Sequence, residues 1–136
     1  MNLAYLDSLP EVANKFKVDL EDGEKVIFNA KLSTFGTEKD RMLGSEGAKF
    51  TLTNKHIIVN NGSGIWTTDI AEDIVKGSGK RVKGRTLLIF PYDYYSILLN
   101  KEVIYNDGRE KLTGFHFYFK GADKEKFEKI ANNVFN

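Results

Sequence analysis

Hydrophobic and polar residues alternate along much of the chain between residues 25 and 120. A period of two is typical of β-strands that bury one face. Turn-forming sequences rich in Asn and Gly separate the alternating segments, most clearly at residues 60–64 and 106–108. The pattern predicts about seven short antiparallel strands. They cover residues 25–32, 48–53, 56–59, 65–70, 96–99, 102–105 and 112–120, with shorter strand pieces at 74–75 and 86–90.

The periodicity becomes that of a helix at both ends of the chain. Near the N-terminus an acidic stretch over residues 1–24 carries a helix-like stripe that Pro10 interrupts, which predicts a helical extension. After Gly121 a second stripe begins, with Asp123 as the predicted N-cap. This stripe predicts one amphipathic C-terminal helix that packs on the strands. Its hydrophobic residues are Phe127, Ile130, Ala131, Val134 and Phe135.

Two polar stretches that contain glycine, residues 33–46 and 76–85, are predicted to be loops. No alternation of strand, helix and strand follows residue 24, which argues against a Rossmann-like sheet. The predicted fold class is therefore mainly β (α+β). On the last strand Phe115, Phe117 and Phe119 share a face and are predicted to fill the core.

Three stretches resemble bacterial PH-like and GRAM-like domains. Residues 23–27 (GEKVI) resemble the opening strand of those domains, and residues 50–59 (FTLTNKHIIV) resemble their next hairpin. The strand from Trp66 to Ile70 is similar to the one that follows, and we expect Trp66 to be partly buried. The resemblance implies a PH-like partly open barrel of about seven antiparallel strands capped by the C-terminal helix. It divides the chain into an N-terminal helical extension, residues 1–22, and a PH-like domain, residues 23–136.

Composition narrows the choice of function. A chain of 136 residues suits one domain, and the absence of cysteine excludes disulfides and thiolate metal sites. The longest apolar runs have about four residues, whereas a membrane span needs about 20. Residues 1–10 lack the basic start of a signal peptide. We therefore expect a soluble cytoplasmic protein.

Candidate catalytic groups are few. Neither His56 nor His116 has a second histidine at ligand spacing, and His56 is predicted to be an exposed surface residue. Residues 79–86 approach a phosphate-binding loop, but Arg85 replaces its lysine and a strand follows where a helix is needed. Residues 113–119 resemble the RNA-binding strand of RRM domains, although a histidine occupies a position that is small there. We predict no catalytic residue, no metal and no cofactor.

One segment concentrates positive charge. The whole chain has 20 basic and 19 acidic residues, yet the ten residues 76–85 contain five basic and no acidic ones. We interpret it as a mobile glycine-rich loop, which is either merely solvated or binds an anionic lipid, an acidic protein or nucleic acid. The candidate ligand-binding residues are Lys76, Lys80, Arg81, Lys83 and Arg85.

These observations favour a non-enzymatic PH-like binding or assembly module. The first hypothesis is protein–protein or self-association through a sheet edge or an exposed aromatic patch, so a homo-oligomer is an expected state. The alternative is binding of anionic lipid, or of another polyanion, by the basic segment. Nucleic acid is not an expected partner, and an uncharacterised hydrolase is the weakest hypothesis.

Overall fold

The computed structural model describes residues 1–37, 42–44, 47–62, 64–85, 91–105 and 110–135. Within these ranges the chain forms nine strands and three helices. The elements are α1 (Leu3–Ser8), β1 (Val26–Lys31), β2 (Thr34–Thr37), β3 (Met42–Gly44), β4 (Lys49–Thr53), β5 (His56–Asn60), β6 (Ile65–Asp69), α2 (Ile70–Asp73), β7 (Lys80–Arg85), β8 (Pro91–Tyr105), β9 (Glu110–Tyr118) and α3 (Ala122–Val134).

The strands form two antiparallel sheets. One sheet has four strands in the order β1-β4-β5-β6, and the other has five strands in the order β3-β2-β9-β8-β7. The class is mainly β, as predicted. In place of the predicted partly open barrel, the described part of the chain has two separate sheets that do not close into a barrel. They pack face to face, and Phe50 and Phe117 from opposite sheets lie with ring centroids 5.1 Å apart.

Helix α3 closes the space between the sheets and confirms the predicted C-terminal stripe. Phe127, Ala131, Val134 and Phe135 are buried, and Ile130 packs against the same core. The predicted core role of Phe115, Phe117 and Phe119 is confirmed as well, because all three are buried; the first two lie on β9 and Phe119 directly follows it. The predicted N-cap is wrong, since the cap position is Gly121 and Asp123 lies in the first turn.

The predicted number of strands is too low, because two predicted loops contain strands. Residues 33–46 include β2 and β3, and residues 76–85 include β7. Their sequences lack a clear alternation of apolar and polar residues, and pairing with neighbouring strands determines their conformation: β2 pairs with β9, β3 with β2 and β7 with β8. The predicted strands at 96–99 and 102–105 are parts of β8, whereas at 74–75 only Ile74 forms a bridge, with Leu99. The strand piece predicted at 86–90 lies outside the described residues.

Strand β1 differs from its predicted alternation at its start. Val26 pairs with Thr53 and Phe28 pairs with Leu52, so Ile27 is an extra residue that forms a β-bulge. The bulge places Val26 on the face opposite Phe28, although simple alternation predicts the same face. Ile27 and Phe28 both belong to the core cluster.

After α1, residues 9–25 contain turns but no further helix or strand, so the predicted helical extension is too long. Helix α1 has six residues and ends before Pro10, which lacks the amide hydrogen that a helix interior requires. Leu6 is fully buried in the core, and the Asn2 amide donates to the Val134 carbonyl oxygen at 2.9 Å. The Val12 amide donates to the Val26 carbonyl oxygen at 2.9 Å. The segment therefore lies beside the start of β1 and occupies part of that edge of the four-stranded sheet.

Strand β6 joins the two sheets through its inner face. Trp66 is partly buried, as predicted, and its ring meets that of Phe115 edge-on with centroids 5.5 Å apart. Its neighbour Ile65 points to the outer face and is 69% exposed. Ile70 is buried but begins α2 and does not end the strand.

Candidate functional site

The predicted basic site lies on the edge of the five-stranded sheet. Lys76 is exposed in the preceding turn. The other four candidates, Lys80, Arg81, Lys83 and Arg85, belong to β7, the terminal strand of that sheet. At about 3.4 Å per residue, this row of basic positions extends for roughly 17 Å. The structure therefore brings the four together on one strand and corrects the prediction of a mobile loop.

The two glycines before β7 donate backbone hydrogen bonds, and Gly79 is also packed against a side chain. The Gly77 amide donates to the Phe135 carbonyl oxygen at 2.5 Å, and the Gly79 amide donates to the Ser96 carbonyl oxygen at 2.7 Å. A Cβ atom added to Gly79 would lie 2.5 Å from a ring carbon of Phe135. This turn connects the end of α3 to the start of β7. Its backbone hydrogen bonds and the Phe135 ring beside Gly79 hold it in place.

A second candidate site begins at a loop in the N-terminal segment. The Asn14 side chain bonds both backbone groups of Val18: its Oδ1 accepts from the amide at 2.9 Å and its Nδ2 donates to the carbonyl oxygen at 2.8 Å. Lys17 adopts φ +53°, a left-handed conformation that is uncommon for a residue with a side chain. We call residues 14–18 the Asn14 loop. The two hydrogen bonds of the Asn14 side chain fix the shape of this loop.

The Asn14 loop and the following residue form one wall of a groove on the outer face of the four-stranded sheet. The groove has a volume of about 220 Å³. Its other wall comes from β4, β5 and β6, so two distant parts of the sequence build it. The lining residues are Phe16, Lys17, Val18, Asp19, Lys49, Thr51, Ile58, Asn60, Ile65 and Thr67.

His56 lies near one end of the same outer face, and the prediction that it is exposed is wrong. Its side chain is 13% exposed, and its Nδ1 lies 2.7 Å from Oε2 of Glu24. Its Nε2 lies 3.9 Å from a carboxylate oxygen of Glu21 and 3.9 Å from one of Asp69. The Thr53 hydroxyl donates to the same Glu24 oxygen at 2.5 Å. These contacts attach residues 21–24 to the turn between β4 and β5.

The environment of Glu24 changes its acidity. Burial alone would raise the pKa of the Glu24 carboxyl, because it disfavours the charged form. Hydrogen bonds from Thr53, the Glu21 amide and His56, together with the attraction of His56, outweigh burial and hold the pKa of Glu24 below its ordinary value. The carboxylate is thus stabilised in its charged form and serves as a structural anchor.

We expect Glu24→Gln to lower the free energy of unfolding by about 1–3 kcal/mol at neutral pH, because a buried charged acceptor is lost. Since the pKa of Glu24 is lowered on folding, its stabilisation is present above the ordinary carboxyl pKa. It disappears as the pH falls through the lowered value. Urea unfolding at neutral and acidic pH measures both effects.

Glu21→Gln is the matched control for this change, because the Glu21 side chain is 64% exposed. We expect it to have little effect at any pH. Equal losses for the two variants, or a Glu24→Gln loss that persists in acid, would contradict the anchoring role of Glu24.

His116 lies on the other sheet, so the structure does not place the two histidines in one site. It is buried, and its ring stacks on Tyr94 at a centroid distance of 4.2 Å. In the described ranges no three His, Cys, Asp or Glu side chains are grouped so that they could hold a metal ion.

Comparison with solved structures identifies the architecture. The chain is similar to the Vps36 N-terminal PH domain with a TM-score of 0.59, over 93% of this chain and 90% of that one. The chain has a PH-like fold. Sequence identity in this PH-like alignment is 13%, so the likeness concerns the fold alone. The sequence matches no family model and no curated protein.

The PH-like scaffold leaves the groove and β7 on separate sheets. Among the described residues no helix has both the length and the apolar character needed to cross a bilayer. Sequence reasoning identified the β7 candidates but missed the groove. The one local signal for the groove was Asn14, a residue type whose side chain often bonds nearby backbone.

Proposed function

We propose that this chain is a non-enzymatic PH-like binding or assembly module that acts through protein–protein or self-association. The observation that supports the proposal is that β6, which has a single charged residue, lies at the edge of the four-stranded sheet. Sheet edges carry backbone groups that can pair with a strand of another chain. Addition of a strand to an edge is a common way in which proteins bind one another.

The other sheet edges have features that oppose such pairing. The N-terminal segment occupies part of the β1 edge, since the Val12 amide donates to the Val26 carbonyl oxygen and the Asn29 side chain donates to the Ala13 carbonyl oxygen. Strand β3 has three residues, and β7 has four basic residues among six. Short or positively charged edges resist pairing with a second chain. By contrast β6 has five residues, of which Asp69 alone is charged, and its Ile65 is 69% exposed.

Self-association would place two β6 strands side by side in antiparallel orientation. A two-fold axis through the middle of β6 would set Thr67 of one copy opposite Thr67 of the second. Such an interface uses the same surface on both copies and closes at a dimer. The proposal therefore concerns a dimer in the first place.

Light scattering from low micromolar to millimolar concentration tests self-association, and Thr67→Lys is the decisive variant. Two lysines directly opposite each other repel, so we expect the variant to dimerise about tenfold more weakly. Thr67→Val is the matched control and should dimerise like the parent, because Val has high strand propensity and no charge. A monomeric parent at every concentration, or a dimer that Thr67→Lys leaves unchanged, argues against the β6 interface.

A second candidate function is binding of anionic lipid by Lys76 and the basic residues of β7. Its support is the placement of Lys80, Arg81, Lys83 and Arg85 on one edge strand. Near an anionic membrane each basic residue contributes about 1 kcal/mol, so one chain would bind weakly and a dimer more strongly. Sedimentation with phosphatidylserine vesicles at low salt decides this: protein that stays in the supernatant excludes it.

Our proposal also includes the finer points of the sequence interpretation. We propose that residues 23–136 form the PH-like domain and that residues 1–22 are an extension of it. The stretches at 23–27 and 50–59 support membership of the bacterial GRAM-like group. We further propose a cytoplasmic location.

A further inference from the structure

An unusual pair of lysines lies beside the groove. Lys31 on β1 and Lys49 on β4 are directly opposite each other in the sheet, and both are exposed. Like charges in this position destabilise a sheet. Neither lysine forms an ion pair with a described residue. Among the described residues no carboxylate therefore offsets the repulsion between the two lysines.

Two further lysines lie at the same place. Phe16 on the Asn14 loop has the Nζ of Lys49 5.9 Å from its ring centroid and the Nζ of Lys15 5.7 Å from it. Lys17, next in sequence, lines the groove. We call Lys15, Lys17, Lys31 and Lys49 the lysine cluster.

The conformation of Lys17 is a separate observation. Its left-handed backbone, φ +53°, costs roughly 1–2 kcal/mol for a residue other than Gly, Asn or Asp. The two hydrogen bonds of Asn14 to Val18 maintain that conformation. Backbone strain held by surrounding bonds often occurs at binding sites. Here it places a lysine in the wall of a groove.

The groove itself is mixed in character. Ile65 supplies exposed apolar surface, and Thr67 and Asn60 supply hydroxyl and amide groups. Ile58 and Thr51 are buried and form the floor of the groove. Because Ile65 and Thr67 belong to β6, the groove reaches the strand edge discussed above. A chain segment bound along that edge would thus continue into the groove.

We propose that this groove binds an extended acidic segment of a partner protein. The carboxylates of that segment pair with Lys17, Lys31 and Lys49, and its apolar side chains pack on Ile65 above the floor formed by Ile58. The inference rests on the proposed function in one respect, that the ligand is a protein. Asp19 also lines the groove, which favours a peptide with spaced charges over a compact polyphosphate.

The probe is a blocked, fluorescein-labelled peptide that alternates glutamate with leucine, compared with the same peptide carrying lysine in place of glutamate. Fluorescence anisotropy measures affinity, and amide NMR of the full chain locates binding. We expect the acidic peptide to bind and the basic one to fail. Amide shifts should cluster at residues 16–19, 49–51 and 58–67, and affinity should fall as salt rises.

The double variant Lys31→Gln/Lys49→Gln should bind the acidic peptide about tenfold more weakly, because two charge pairs are lost. Its matched control is Lys126→Gln/Lys129→Gln, which removes the same charge from exposed positions of α3. The control should bind like the parent. Equal losses in both double variants would show attraction by net charge alone and overturn the inference.

Lys17→Asn separates binding from folding. Asn tolerates a left-handed backbone, so the variant should be at least as stable as the parent while binding the peptide several-fold more weakly. Unchanged binding in this variant would overturn the role of Lys17. Complete competition by inorganic phosphate, or equal binding to phosphatidylserine vesicles at the same residues, would overturn the choice of a peptide.

Different measurements test the groove inference and the proposed dimer. Light scattering of Lys31→Gln/Lys49→Gln should give the same oligomeric state as the parent, because neither lysine lies on β6. A parent that dimerises at high concentration but does not bind the acidic peptide at concentrations where it is monomeric contradicts the groove inference alone. A parent that binds the peptide and stays monomeric contradicts self-association alone.

Discussion

Replacement of Phe127 by alanine should remove about 3–5 kcal/mol of the free energy of unfolding. The Phe127 side chain is fully buried. The centroid of its ring lies 4.7 Å from the ring centroid of Phe119, 5.0 Å from that of Tyr95 and 5.5 Å from that of Phe50. It therefore joins α3 to both sheets, and alanine would leave a cavity among aromatic rings. Since domains are stable by about 5–15 kcal/mol in total, this loss is a large share.

Urea unfolding followed by circular dichroism measures the effect, with Phe127→Leu as the control. Leucine keeps most of the buried volume, and we expect it to be clearly less destabilising than alanine. A Phe127→Ala protein with the unfolding midpoint of the parent would contradict the central position of this ring.

Gly79→Ala should destabilise the protein by about 2–4 kcal/mol, although it adds a single methyl group. Gly79 has φ +77°, a conformation that disfavours any side chain. The added Cβ would also lie 2.5 Å from a ring carbon of Phe135, so the ring or the backbone must move. Thermal unfolding monitored by circular dichroism measures the change.

Gly64→Ala is the matched control, because no atom lies within 4 Å of the Cβ that it adds and its backbone is not left-handed. We expect it to unfold close to the parent. If the two glycine variants unfold alike, the turn before β7 is looser than its contacts indicate. Equal unfolding of the two variants is the result expected for the mobile loop that the sequence predicted there.

The parts of the fold that sequence predicted well are those whose signal is local. The phenylalanines at the end of β9 and directly after it alternate over residues 115–119, and the stripe of α3 repeats over a few turns. Burial of one face produces both patterns within a single element. The core and the mainly β class therefore follow from hydrophobic periodicity alone.

The parts that sequence missed depend on neighbours that are distant in the chain. Strand β2 contains Thr, Phe, Gly and Thr and forms because β9 lies beside it, about 80 residues later. The bulge at Ile27 reverses the face of Val26 by one added residue, which no alternation rule reveals. The sequence of β7 predicts a polar loop, because its strand conformation depends on pairing with β8.

The same limit applies to the candidate sites. Glu24 and His56 are 32 residues apart, and their pairing gives no sequence signal. The groove combines residues 16–19 with three strands, so its existence depends on tertiary structure. The basic segment was visible because its charges are contiguous in sequence. Its strand conformation was not visible, because polar residues on an edge strand show no periodic burial.

The position of Trp66 gives the molecule a built-in optical probe. It is the one tryptophan of the chain, it lies on β6, and its ring contacts Phe115 of the opposite sheet. Its fluorescence therefore originates at the place where the two sheets meet beside the proposed interface. Separation of the sheets would expose the indole to water and shift its emission to longer wavelength. Pairing of a second chain along β6 would restrict the indole and raise its anisotropy, so one unlabelled residue distinguishes opening from association.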